Sequence, residues 1–94
     1  MSFTKEPAPT APTLDSFLQL FEMTYAAAKN ATRSIGPADV FADLGLDSLA
    51  ALEVLVVLEE HYGVVLVGEP AIVDVVTVRD LYDVILENLN VSTR

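Results

Sequence analysis

Residues 39–63 read DVFADLGLDSLAALEVLVVLEEHYG. The second half of this stretch reads as a helix that starts at Asp47 or Ser48, runs to about Tyr62 and stops at Gly63. Its apolar residues fall on two faces. Ala51, Val54, Leu55, Leu58 and Tyr62 make one stripe, while Leu49, Leu52 and Val56 make another, flanked by Glu53 and Glu60. A helix in a small bundle needs to bury only one face. The second stripe is therefore buried on another side of the domain or offered to a partner.

Upstream, residues 31–46 form a long connection, because Gly36-Pro37 breaks any helix. A loop of this length in a small domain is functional or pinned by its own side chains, and Ile35, Val40, Phe41, Leu44 and Leu46 are the available pins. Before it, Leu14, Phe17, Leu18, Phe21 and Tyr25 recur at helical spacing, with Thr13 as N-cap, Asp15 in the first turn, and an end near Lys29 or Asn30. Residues 1–13 hold Pro7, Pro9 and Pro12 and read as a flexible arm.

Downstream, GVVLVGEPAIVDVV is β-branched enough for a hairpin turned at Gly68-Glu69-Pro70. A short third helix opening at Pro70 is preferred, because a lone hairpin among helices would need its own cover. Thr77 and Asp80 form a capping box with Asp in place of the usual Glu, ahead of a last helix with Val78, Leu81, Tyr82, Ile85 and Leu89 on one stripe. The predicted fold is all-α: a small four-helix bundle of three main helices plus a short third helix, with a long loop between helices one and two. The domain spans 14–90, and 91–94 form a disordered tail.

Composition narrows the function. The chain has 94 residues and no cysteine, which excludes a disulfide scaffold and thiolate chemistry from its own side chains. His61 is the sole histidine, so a zinc site is not expected. The hydrophobic fraction is 52%, yet no apolar run approaches the ~18 residues of a membrane span. No secretory signal opens the sequence, so a cytoplasmic location is the default; a monomer is also expected. The net charge is -9, and no lysine or arginine lies between Arg33 and Arg79. That stretch carries Asp39, Asp43, Asp47, Glu53, Glu59, Glu60, Glu69 and Asp74. Such a field repels nucleic acid and anionic membrane surfaces and draws partners with basic patches.

Ser48 invites three readings: nucleophile, helix cap, or attachment point. A Ser–His–acid triad fails on distance. Thirteen residues separate Ser48 from His61 on one helix, which is roughly 20 Å at 1.5 Å per residue. The second glycine of a G-x-S-x-G elbow is also missing. Asp47-Ser48 before an apolar run is an ordinary helix start. On that tripeptide alone capping is the better reading, but after a long pinned loop and within an acidic field an exposed serine at a helix N-terminus is well placed to carry a phosphate-linked group.

DLGLDSL at 43–49, then ALEVLVVLEEHYG at 51–63 and TVRDLYDVI at 77–85, resembles the acyl carrier protein family, over about Leu14 to Leu89. The resemblance implies that Ser48 receives a 4'-phosphopantetheine arm from coenzyme A, with acyl groups carried as thioesters on the arm's thiol. It implies a carrier with no catalytic site of its own, serving fatty-acid or polyketide-type biosynthesis. Asp47 would help a phosphopantetheinyl transferase bind coenzyme A and its metal, or act as N-cap alone, or both. Leu49, Leu52 and Val56 match partner-facing positions for acyl-loading and chain-processing enzymes, with Glu53 and Glu60 meeting basic residues. Ala50 stands where many fatty-acid carriers have an acid, which makes the expected docking face less charged. The rival within carriers is a peptidyl carrier, which more often has His or Gly before the serine; Leu46-Asp47 favours the acyl type. Outside carriers the rival is an acidic helical adaptor with Ser48 as a plain cap.

Overall fold

The computed structural model describes residues 12–92. Three α-helices carry the fold: α1 (Leu14–Lys29), α2 (Ser48–Tyr62) and α3 (Val78–Ser92). Phe41–Leu44 and Pro70–Asp74 are 3₁₀ turns. Among the described residues there are no strands, only one antiparallel bridge between Val40 and Thr77. The all-helical expectation holds, and the short third helix is present as the turn Pro70–Asp74. It is 3₁₀ rather than α: Ile72 N–H donates to the Glu69 carbonyl and Val75 N–H to that of Ile72, both three residues back. β-branched Ile72 and Val73 lose rotamer freedom in a helix, and Val73 faces solvent, so packing adds little to extend it. Residues 1–11, which include most of the expected arm, and 93–94 lie outside the described residues. Helix α3 continues to Ser92.

The helix ends form where the cap chemistry places them. The Thr13 hydroxyl accepts from Ser16 N–H at 3.1 Å, and α1 ends on Asn30 in the left-handed region (φ 56°). Thr77 and Asp80 make the reciprocal box: Asp80 N–H donates to the Thr77 hydroxyl, and the Asp80 carboxylate accepts from Thr77 N–H and Val76 N–H. These backbone donors, that of Thr77 first, hold the Asp80 carboxyl below the ordinary carboxylate range.

Phe17, Phe21, Val54, Leu58, Leu66, Val78, Leu81 and Ile85 are fully buried. Phe17 lies tilted against Tyr82 (centroids 5.4 Å) and Phe21 meets Phe41 edge-on (5.6 Å). Phe17 also lies beside Tyr62, while the far end of α1 reaches the loop that leads into α2. Helices α1 and α2 therefore run antiparallel. Leu55, expected in the core, is half-buried, over a small hollow lined by Phe41, Ala51, Ile72 and Leu81.

The segment after Gly63 alternates: Val64 and Leu66 are buried, Val65 and Val67 exposed. It has the strand-like pattern without a strand partner. Instead the Glu59 carboxylate accepts the N–H groups of both Leu66 and Val67 at 2.7 Å, which supplies the acceptors that a sheet neighbour would have given.

Truncating the fully buried Leu58 to Ala is expected to cost about 2–5 kcal/mol in denaturant melts. Leu52→Ala, at a solvent-facing position earlier on the same helix, should stay within roughly 0.5 kcal/mol. Equal losses would show that the buried and exposed faces of α2 are misassigned.

Candidate functional site at the start of helix α2

The long loop is built into the bundle before it delivers Ser48. Ile35 N–H donates to the Glu22 carboxylate at 2.8 Å, and the Ile35 side chain enters the core. Gly36 N–H donates to Asp39, which also pairs with Arg33 at 3.7 Å. Phe41 N–H donates to the Val76 carbonyl, Val78 N–H to that of Asp39, and Arg79 N–H to that of Pro37, each at 2.9 Å. Leu44 is buried, and Phe41 and Leu46 pack on the core, as the sequence pattern requires of pins.

Two contacts fix the last stretch before Ser48. The Tyr25 hydroxyl donates to the Leu44 carbonyl at 2.7 Å, and the Lys29 ammonium donates to the Gly45 carbonyl at 2.8 Å. Gly45 sits at φ 74°, where a side chain would be strained. Sequence reasoning used Tyr25 only as an apolar stripe residue and gave Lys29 no role. The available signal was a tyrosine, rather than a phenylalanine, on a buried stripe: its hydroxyl needs a partner.

Asp47 is the N-cap, and its carboxylate accepts from Ala50 N–H at 2.8 Å. Ser48 is the first residue of α2 and is exposed. Among the described residues, no acceptor meets the N–H groups of Ser48 and Leu49, and nothing bonds the Ser48 hydroxyl. The place combines a free hydroxyl, unmet backbone donors and the positive end of a helix dipole, the setting in which an anion is held.

Leu49, Leu52 and Val56 face solvent, Leu49 with 66% of its surface exposed, and Glu53 and Glu60 are exposed beside them. Ala50 is a correction: it is buried, so its lack of charge does nothing to an outer face. Its helical position turns it inward with Val54 and Leu58, at offsets of four and eight. The sequence reading also missed Met23 and Val57, which are exposed on the same side. His61 is exposed and lies edge-on to Tyr62. Among the described residues no group of three or more His, Asp or Glu could hold a metal ion, and no helix is long and apolar enough to cross a membrane.

Residues 26–85 match the family model described as phosphopantetheine attachment site. The chain belongs to that family. No curated protein and no solved structure is matched by it. The match runs from the last turn of α1 through the loop, α2 and the Pro70–Asp74 turn into α3, so it covers Ser48 and its loop but leaves out most of α1, Tyr25 included. The protein is a phosphopantetheine carrier, and the group it bears is covalent 4'-phosphopantetheine. The residues present fit such a group. A phosphodiester needs an accessible hydroxyl oxygen for its ester bond and donors for its charged oxygens, and both occur at the start of α2. When bound, the group supplies the thiol that a chain without cysteine lacks.

Asp47→Ala should cost about 0.5–2 kcal/mol through loss of the cap, and Asp47→Asn should recover most of it, because the amide oxygen can accept the same N–H. Thermal melts of the two variants check this. If Asn melts as low as Ala, the carboxylate's charge, and not its acceptor geometry, holds the start of α2.

Proposed function

We propose that Ser48 is the attachment point and that the chain is an acyl carrier. It holds acyl intermediates as thioesters and presents them to enzymes of fatty-acid or polyketide-type biosynthesis. The observation that carries this reading is the exposed, unbonded Ser48 hydroxyl at the N-terminus of α2, inside the family match. The Tyr25 and Lys29 contacts support it, because they hold the approach to Ser48 in one geometry for a partner's active site. Leu46 and Asp47 ahead of the serine favour the acyl over the peptidyl type.

Helix α2 is the docking face. Leu49, Leu52 and Val56 give a partner apolar contact, and Glu53 and Glu60 on the same helix steer basic residues toward it. Asp47 keeps its structural bond to Ala50 and presents the rest of its carboxylate beside Ser48, where a transferase would place coenzyme A and its metal.

The test is arm transfer from coenzyme A by a promiscuous phosphopantetheinyl transferase, followed by intact mass. The wild-type chain should gain one phosphopantetheine. Ser48→Ala should gain none while melting like a folded protein. Glu53→Lys should slow transfer at low ionic strength, with the difference fading as salt is added. An arm on Ser48→Ala would overturn the site, and a salt-independent Glu53→Lys would overturn the docking face.

A further inference from the structure

Lys29 is the one lysine among the described residues, and it stands beside the approach to Ser48. The chain holds 14 acids, and the two described arginines bond carboxylates, Arg33 that of Asp39 and Arg79 that of Asp83. Among the described residues Lys29 meets no carboxylate. Its ammonium donates instead to the Gly45 carbonyl at 2.8 Å, three residues ahead of Ser48. That contact uses one of its three N–H groups, and the residue is exposed. Gly45 offers no side chain to cover the nitrogen: a Cβ there would lie 3.5 Å from Nζ.

The end of α1 fixes this placement. Lys29 is the last residue of the helix, where the carbonyl end of the dipole favours a cation. One turn earlier, Tyr25 bonds the Leu44 carbonyl, so α1 and the loop are joined at two points.

The amine lies within the sweep of the arm. Three residues, at most about 11 Å of chain, separate Gly45 from Ser48. 4'-Phosphopantetheine has two amide units between its phosphate and its sulfur, and its extended length is like that of five residues, about 17 Å. A thioester on the arm can therefore fold back to Nζ. A short flexible tether holds its two ends at an effective concentration on the order of millimolar. At micromolar protein, a meeting of two chains is roughly a thousand times rarer, and the net charge of -9 on each opposes it further.

We propose that Lys29 is a modification site, acylated by the chain's own cargo. The inference rests on attachment at Ser48. The Nζ lone pair attacks the thioester carbonyl carbon, a C–N bond forms and the C–S bond breaks. Sulfur leaves as the thiolate and takes up the proton that nitrogen releases. The arm returns to its free-thiol form, and Lys29 becomes an N-acyl amide with no further reactant consumed. Only an unprotonated amine attacks, so the transfer is slow and competes for cargo that no partner collects. The amide has no charge and one N–H, so its bond to the Gly45 carbonyl is weaker than the ammonium's. Cargo left undelivered is thereby cleared from the arm and recorded beside Ser48.

The test uses the octanoyl form, made by transferring the acylated arm from octanoyl coenzyme A and then freed of the excess thioester. The protein is incubated at pH 8 and treated with hydroxylamine, which cleaves thioesters and leaves amides. Peptide fragmentation then reads each amine. An octanoyl amide should appear on Lys29, at a first-order rate unchanged by tenfold dilution. Lys29→Arg keeps a cation at the same place but presents no amine nucleophile. It should lower the hydroxylamine-resistant gain by about tenfold or more. Ser48→Ala, mixed in as a bystander that bears no arm, should stay unmodified at Lys29. A resistant octanoyl group on Lys5 or on the Met1 amine with Lys29 bare, or a bystander acylated as fast as the loaded chain, overturns the inference. If no arm attaches to the wild-type chain, the carrier reading at Ser48 falls and this role with it. If the arm attaches and no resistant octanoyl forms, only the Lys29 inference falls.

Discussion

The first turn of α2 has backbone N–H groups with no acceptor inside the helix, and the chain meets only part of that demand. Asp47 satisfies Ala50, while Ser48 and Leu49 are left open to solvent. A fully capped end would hold no anion, and an uncapped end would fray. The arrangement works because the preceding loop cannot move freely: Tyr25 and Lys29 hold the carbonyls of Leu44 and Gly45, and Leu44 is sunk in the core. The geometry at the start of α2 therefore depends on α1 as much as on α2.

Much of this was legible in the sequence. Thr13, Asp47 and the Thr77–Asp80 box announce helix starts through side-chain chemistry that acts within three residues, and all three form as read. The two faces of α2 follow from helical period, and the exposed stripe of Leu49, Leu52 and Val56 lies where that period puts it. What was not legible is long-range. Glu22 bonding Ile35, Glu59 bonding Leu66 and Val67, and Tyr25 bonding Leu44 each join segments whose meeting is fixed by packing and not by local pattern. Glu59 is instructive, because in the sequence it is one more acid in a negative field. In the fold its carboxylate organises an extended segment that has no sheet to join. Leu55 shows the same limit from the other side: it shares the period of the buried stripe, but the packing of the Pro70–Asp74 turn leaves it half-covered.

A carrier needs no cleft of its own, and the energetics of this chain suit that role. Its core is a single cluster contributed by all three helices and the two connections. Helix α2 is two-sided: Val54 and Leu58 hold the bundle, and Leu52 and Val56 stay exposed. Apolar residues kept in water make a small domain less stable than it could be. Surrounding acids offset the solubility cost, since the net charge of -9 discourages self-association.

The central claim is that the covalent group sits on Ser48 because that hydroxyl is the one presented at a held, half-capped helix start. Fragmentation mass spectrometry of the modified wild-type protein reads it most directly. The account predicts the phosphopantetheine mass on the peptide that contains Ser48, with Ser2, Ser16, Ser34 and Ser92 unmodified. The same mass on any of those serines, with the Ser48 peptide bare, would contradict it.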